Sequence, residues 1–169
     1  MQTTRLIIDT REQAPYSFAG FPVETERGTL TTGDYALAGF EDRCAIERKA
    51  LDDLVSSLMQ GRDHFERELM RASSFDFFAV VVEGSASDVL GQRYQSRAKP
   101  NSIIQSVAAF SVRYRVPFLW CGGRECGELM TFSLLSKYAY EIDKRFKRLT
   151  GKTNSNSEDR PGKTSGRPF

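Results

Sequence analysis

Gly33-Asp34-Tyr35-Ala36-Leu37, a short turn, and then Cys44-Ala45-Ile46-Glu47-Arg48-Lys49-Ala50-Leu51-Asp52-Asp53 read as strand, turn, strand and the opening of a helix. Glu47 and Lys49 are two apart in the strand Cys44–Lys49, so their side chains leave one face of the sheet while Arg48 leaves the other. With Asp34 opposite them on the preceding strand, Asp34 and Glu47 can share a hard divalent cation beside the Lys49 ammonium. Carboxylates that hold Mg²⁺, a water made acidic by the metal and a cation near the phosphate are the parts needed for metal-assisted phosphodiester hydrolysis.

Working outward, Arg5–Asp9 reads as a buried first strand, and Val23–Arg27 as an alternating strand after a loop punctuated by Pro15, Gly20 and Pro22. Together with the quoted unit these strands predict a β-meander. Leu51, Leu54, Val55 and Leu58 recur at helical spacing, Gly61 breaks the helix, and Phe65, Leu69 and Met70 carry a second one to about Ala72. Phe77–Val82 is a continuous apolar run, the pattern of a strand covered on both faces. A helix over Ser102–Phe110, a strand over Val116–Trp120 and a long helix from Glu125 to about Leu149 complete the pattern. The fold class is α/β, a central mixed sheet with helices on both sides.

The chain has 169 residues, 40% hydrophobic and 27% charged, with a formal net charge of +2, as expected of one globular domain. The charge is uneven: residues 143–169 hold eight Lys/Arg against three Asp/Glu, which leaves the first 142 slightly acidic. An acidic catalytic face with a basic tail suits a metal-dependent enzyme that meets a polyanion. The expected organisation is a domain over 1–149 and a basic, disordered tail over 150–169, where Gly, Ser, Asn, Lys and Pro replace any apolar period. Cys44, Cys121 and Cys126 are too few and too irregularly spaced for a disulfide framework or a zinc site. No signal core or membrane-length apolar run is present, and an intracellular protein is expected, cytoplasmic or nucleoid-associated in a prokaryotic or phage setting.

The wording of the motif is more specific than a generic Asp…Glu-x-Lys site. Gly33, Asp34, Glu47, Arg48, Lys49 and Asp53 reproduce, without a gap, the GDx(n)ERKx(3)D motif, and the chain resembles the XPF-type structure-specific endonucleases. Ile7-Ile8-Asp9-Thr10-Arg11-Glu12 resembles that family's first strand ending in D-x-R-E, and Gly61-Arg62 its glycine-arginine turn. The likeness runs from about Leu6 to Lys137. It implies a restriction-endonuclease-like nuclease fold of the PD-(D/E)xK kind and Mg²⁺- or Mn²⁺-dependent cleavage of DNA leaving 5′-phosphate and 3′-hydroxyl ends. Branched or flap-type DNA in repair or recombination would be the substrate, with no organic cofactor and no membrane. The family's tandem helix-hairpin-helix module has no counterpart in this sequence, so the implied substrate preference carries over less well than the chemistry.

On this reading Asp34 and Glu47 hold metal with Asp9 in support, and Lys49 orients the water or stabilises the transition state. Arg48 and Asp53 brace the site, and Arg11 and Arg62 touch the DNA backbone. Simpler readings stand beside several of these. Asp34 also suits a turn, Asp53 (or its neighbour Asp52) suits the positive end of a helix, Asp9 suits a solvated strand end, and Arg11 and Arg62 suit surface charges. Glu47 is harder to explain away, because a buried carboxylate without a partner costs several kcal/mol. A non-catalytic scaffold subunit is the rival function; the complete set of acids speaks against it. A Holliday-junction resolvase is a second rival, against which the Glu-Arg-Lys wording speaks. Apolar residues around much of two helices, Ile103 to Phe110 and Leu129 to Tyr140, together with the family's habit of pairing through nuclease domains, predict a homodimer.

Overall fold

The computed structural model describes residues 4–151. Its elements are β1 (Thr4–Asp9), β2 (Val23–Gly28), β3 (Tyr35–Leu37), β4 (Cys44–Ala50), α1 (Leu51–Met59), α2 (Arg62–Ala72), β5 (Phe77–Glu83), α3 (Ala86–Leu90), α4 (Pro100–Tyr114), β6 (Phe118–Trp120) and α5 (Arg124–Leu149). Of the tail expected over 150–169, residues 152–169 lie outside the described residues.

The six strands form one sheet in the order β2-β1-β3-β4-β5-β6. β1, β3 and β4 pair antiparallel, whereas β4, β5 and β6 run parallel, joined by helical crossovers. The expected meander is corrected at β2, which lies outside β1 and parallel to it. The loop over 10–22 is long enough to carry the chain back to the start of β1, as a parallel neighbour requires. The charged, exposed side chains of Glu24, Glu26 and Arg27 suit β2 to the sheet edge.

The period of two sorts the sheet into two cores. Ala45, Val80 and Val82 face α1, α2 and α4, with Leu54, Leu58, Phe65, Leu69 and Phe110 buried there. Ile46, Ala79 and Val81 face α5 and the loop after β1, with Tyr16, Phe18, Tyr35 and Leu135. β5 is buried through Phe78–Val82, as its apolar run predicts. Gly127 in α5 is needed for this packing, because a Cβ there would lie 2.3 Å from the Tyr16 hydroxyl. The short helix α3, absent from the sequence reading, has no apolar period and is set by a capping box between Ser85 and Asp88. Among the described residues no helix is long and apolar enough to cross a membrane.

Candidate active site

The alternation in β4 decides which side chains meet. Glu47 and Lys49 point to the α2 side and form an ion pair with each other; the Lys49 ammonium lies 5.1 Å from the centre of the Phe65 ring. Arg48 points to the opposite side, where its guanidinium is held 3.0 Å from Glu12 and 3.1 Å from Glu83. Arg48 is only 11% exposed and both acids are comparably buried, so the three form an internal clamp across β4, β5 and the loop after β1. Burial opposes charge on Glu12, but the Arg48 guanidinium and the Ala14 N–H, with the Arg124 charge, together hold the carboxyl below the usual range.

Asp34 reaches this strand through the backbone. Its N–H donates to Ile46 C=O at 2.8 Å, its C=O accepts from Asp9 N–H at 2.8 Å, and its Oδ2 accepts from Arg48 N–H at 2.8 Å. Gly33 makes the entry possible: its φ is +85°, and a Cβ would stand 3.0 Å from the Ala45 Cβ and 3.2 Å from Ile46 C=O. Burial, then the Glu47 charge beside it, push the Asp34 carboxyl up to about 8. Lys49 titrates above its ordinary value despite burial, because Glu47 outweighs the desolvation.

Glu68 on α2 was missed by sequence reasoning. Its carboxyl lies against Glu47, with the Gly33 N–H beside it; burial and then the Glu47 charge push it up to about 7. The available signal was Phe65, Leu69 and Ala72 facing the core, which puts position 68 on the turn bordering that face. Until the sheet is assembled, nothing in the sequence says that this border meets Glu47.

Arg11, Glu12, Gln13, Asp34, Glu47, Arg48, Lys49, Asp53, Ser56 and Ser57 line one open cleft of about 380 Å³. That volume admits a hydrated cation and one phosphodiester group, and leaves the rest of a polymer outside. Asp53 stands on the cleft wall. Arg11 stands on its rim, with its guanidinium 69% exposed although it is anchored to Asp9 at 2.8 Å.

Two expected site residues are placed differently. Asp9 is not among the cleft residues, and its oxygens accept from Arg11 N–H, Arg11 Nε and Nη2, and Leu30 N–H at 2.7–3.0 Å. Burial raises its pKa, yet these donors, Arg11 first, hold it below the ordinary value. Asp9 therefore braces Arg11 and the following loop. Arg62 packs 4.5 Å over the Phe110 ring, donates to Ser106 Oγ at 3.1 Å and pairs with Glu66 at 3.2 Å. It ties α2 to α4 and is not presented to a ligand in the cleft.

Among the described residues no three His, Cys, Asp or Glu side chains form a metal-binding cluster by themselves. The donor set still fits Mg²⁺ or Mn²⁺. Such ions commonly take one or two carboxylates and complete their shell with waters and substrate phosphate oxygens. An acid that protonates near 8 beside a second acid is also a site where a dication would relieve repulsion and burial together.

Comparison with known proteins bears on the family and the fold. The family model described as ERCC4 domain matches residues 8–131. The 3′-flap repair endonuclease Xpf of Saccharolobus solfataricus is 29% identical over 113 residues, which are 64% of this chain and 46% of that protein. The chain thus spans about half the length of this curated relative. XPF from Aeropyrum pernix superposes with a TM-score of 0.65 at 22% identity, covering 85% of this chain and 69% of that one. Its complex with DNA gives 0.64 at 22% identity over 82% and 66% of the two chains. These two structures share the fold.

Proposed function

The chain belongs to the ERCC4-domain family, the XPF-type nucleases, and on that premise we propose that it is a metal-dependent DNA endonuclease. The observation that carries the reading is the convergence of Asp34, Glu47 and Lys49 on the floor of an open cleft. The relative named as a 3′-flap repair endonuclease supports a flap-type DNA substrate in repair.

In this mechanism Asp34 and Glu47 would hold Mg²⁺ or Mn²⁺, with Glu68 behind Glu47. The bound cation supplies Lewis-acid charge at the phosphate and lowers the pKa of a water. Asp34 would serve such an ion as the carboxylate. Lys49 is held as the ammonium by Glu47 and balances the charge that grows on the phosphate oxygens in the transition state. Arg48 keeps β4 and the loop after β1 in register through Glu12 and Glu83; its role is positioning. Arg11, oriented by Asp9, meets the DNA backbone at the rim, and Asp53 helps to wall the cleft.

Self-association is also proposed, on a narrower surface than the sequence suggests. Ile103, Val107, Phe110 and Leu135 are buried within the domain, and Phe132 packs on Phe21 with ring centres 4.7 Å apart. Tyr140, Phe146 and Leu149 on the last turns of α5 remain exposed and are the residues for a homodimer contact.

Labelled flap, fork, four-way junction, duplex and single-stranded DNAs, incubated with the protein and Mg²⁺, test the proposal. Cleavage of at least one branched form is expected. DNA binding without cleavage of any form in Mg²⁺ or Mn²⁺ favours the scaffold reading.

A further inference from the structure

Beyond the cleft, the loop over residues 91–99 is built as a rigid shelf. Gln95 N–H donates to Asp52 Oδ1 at 2.7 Å, which fastens the loop to the first turn of α1. Tyr94 Oη donates to Ala98 C=O at 2.6 Å, Arg93 N–H to Asp88 C=O at 2.9 Å, and Ala98 N–H to Ser96 Oγ at 3.1 Å. The Tyr94 ring packs against the core beneath. A loop with so many internal fixings holds its side chains in place before any ligand arrives.

What the shelf presents is basic. Arg97 and Lys99 are exposed, and among the described residues neither is in an ion pair with an acid. Arg93 is 73% exposed and its guanidinium is held to Asp88. Helix α4 begins directly behind Lys99 with no acidic residue in its first turn and no side-chain cap, so its dipole adds to the positive field. The position matters as much as the charge. Asp52 anchors the shelf, and the next residue, Asp53, lines the cleft. The floor of the cleft is rich in carboxylates, and Arg62 is occupied between α2 and α4. A polyanion entering the cleft therefore needs cations on its rims. Arg11 supplies one, and the shelf, fastened to Asp52 next to the cleft residue Asp53, supplies others.

We propose that the 91–99 loop is a second backbone-contact surface, where Arg97 and Lys99 bind phosphates of a DNA segment that leaves the cleft past Asp53. This rests on the reading of the chain as a DNA-cleaving enzyme and adds to it the direction in which the substrate runs. The shelf positions a sugar-phosphate backbone and reads no bases, so its contribution is independent of sequence and sensitive to salt.

The test is the salt dependence of DNA binding by the full chain, measured in EDTA with a labelled flap duplex. Arg97→Ala/Lys99→Ala should reduce the slope of log K against log salt by about two, at roughly 0.9 for each phosphate no longer neutralised. The charge-preserving swap Arg97→Lys/Lys99→Arg should keep the original slope, and unchanged thermal midpoints identify both variants as folded. A double-alanine variant with the original slope overturns the shelf while leaving the nuclease reading intact. Failure of the unaltered chain to bind any DNA overturns the nuclease reading itself.

Discussion

The Arg48 N–H donates to Asp34 Oδ2 at 2.8 Å, so the Gly-Asp turn and the Glu-Arg-Lys strand are locked together through a peptide group. This bond leaves the Arg48 side chain available for its clamp on the far face and fixes one Asp34 oxygen relative to Glu47. Replacing the Arg48 side chain should therefore test the clamp without removing the bond to Asp34 directly.

Arg48→Ala is expected to destabilise the fold by about 3 kcal/mol, because Glu12 is left buried without its ion-pair partner and Glu83 keeps only Arg124 at 3.3 Å. Arg48→Lys should recover part of that loss but cannot span both acids as a guanidinium does. Urea unfolding of the two variants measures the difference. An Arg48→Ala protein as stable as the parent would remove the clamp from the account.

Gly33→Ala should cost about 1–2 kcal/mol for the left-handed backbone and more for the 3.0 Å approach to Ala45. Because Asp34 follows directly, cleavage should fall as well, even at temperatures where the variant is fully folded. Single-turnover rates well below the thermal midpoint separate the two effects.

The pH dependence of stability has a definite sign. Asp34, raised to about 8, keeps its proton in the folded state between roughly pH 4 and 8, where the unfolded chain has released it. The folded state binds more protons over that window, so metal-free stability contributed by Asp34 falls as pH rises through it. Asp9 and Glu12, both lowered, act the other way: their contribution is present above the ordinary carboxylate range and lost below it. Differential scanning in EDTA should therefore show stability declining from pH 5 to 8, and Mg²⁺ should restore more of it at pH 8 than at pH 5. A Mg²⁺ shift that is independent of pH would contradict the assignment of Asp34.

Glu68→Gln keeps an acceptor for the Gly33 N–H but removes a charge next to Glu47. Metal affinity should drop by about 10–100-fold, the usual cost of losing a supporting group behind a ligand. Titration of Mg²⁺ against cleavage rate reads this as a shifted half-saturation with a similar plateau. An unchanged half-saturation makes Glu68 a bystander.

For self-association, Tyr140→Glu/Phe146→Glu is the informative variant. Phe132 is packed on Phe21, and a charge there would break the domain itself. Sedimentation equilibrium should give a doubled mass for the parent and about 19 kDa for the variant. A parent near 19 kDa at all micromolar concentrations rules the dimer out.

Much of this was legible in the sequence because strand parity and helix period are local. Glu47 and Lys49 on one face and Arg48 on the other follow from the two-residue repeat alone, and β5 declares its burial through Phe78–Val82. What stayed hidden depended on distant partners. Asp9 is satisfied by Leu30 and Arg11, and Arg62 by Ser106 and the Phe110 ring; neither set of partners is visible from local spacing. β2 lies parallel to β1 at the edge because the loop over 10–22 carries the chain back, a choice that alternation within the strand does not encode.

Cleavage by the Asp34→Asn and Glu47→Gln proteins tests the central claim most directly. Under single-turnover conditions with a labelled branched DNA and Mg²⁺, each should cut at least about 100-fold more slowly than the parent, since removing charge stabilisation worth several kcal/mol costs a factor of ten per 1.4 kcal/mol. EDTA should abolish cutting by the parent, and both variants should still bind the DNA. Cutting at the parent rate by Asp34→Asn, or by the parent in EDTA, would contradict a metal held between Asp34 and Glu47.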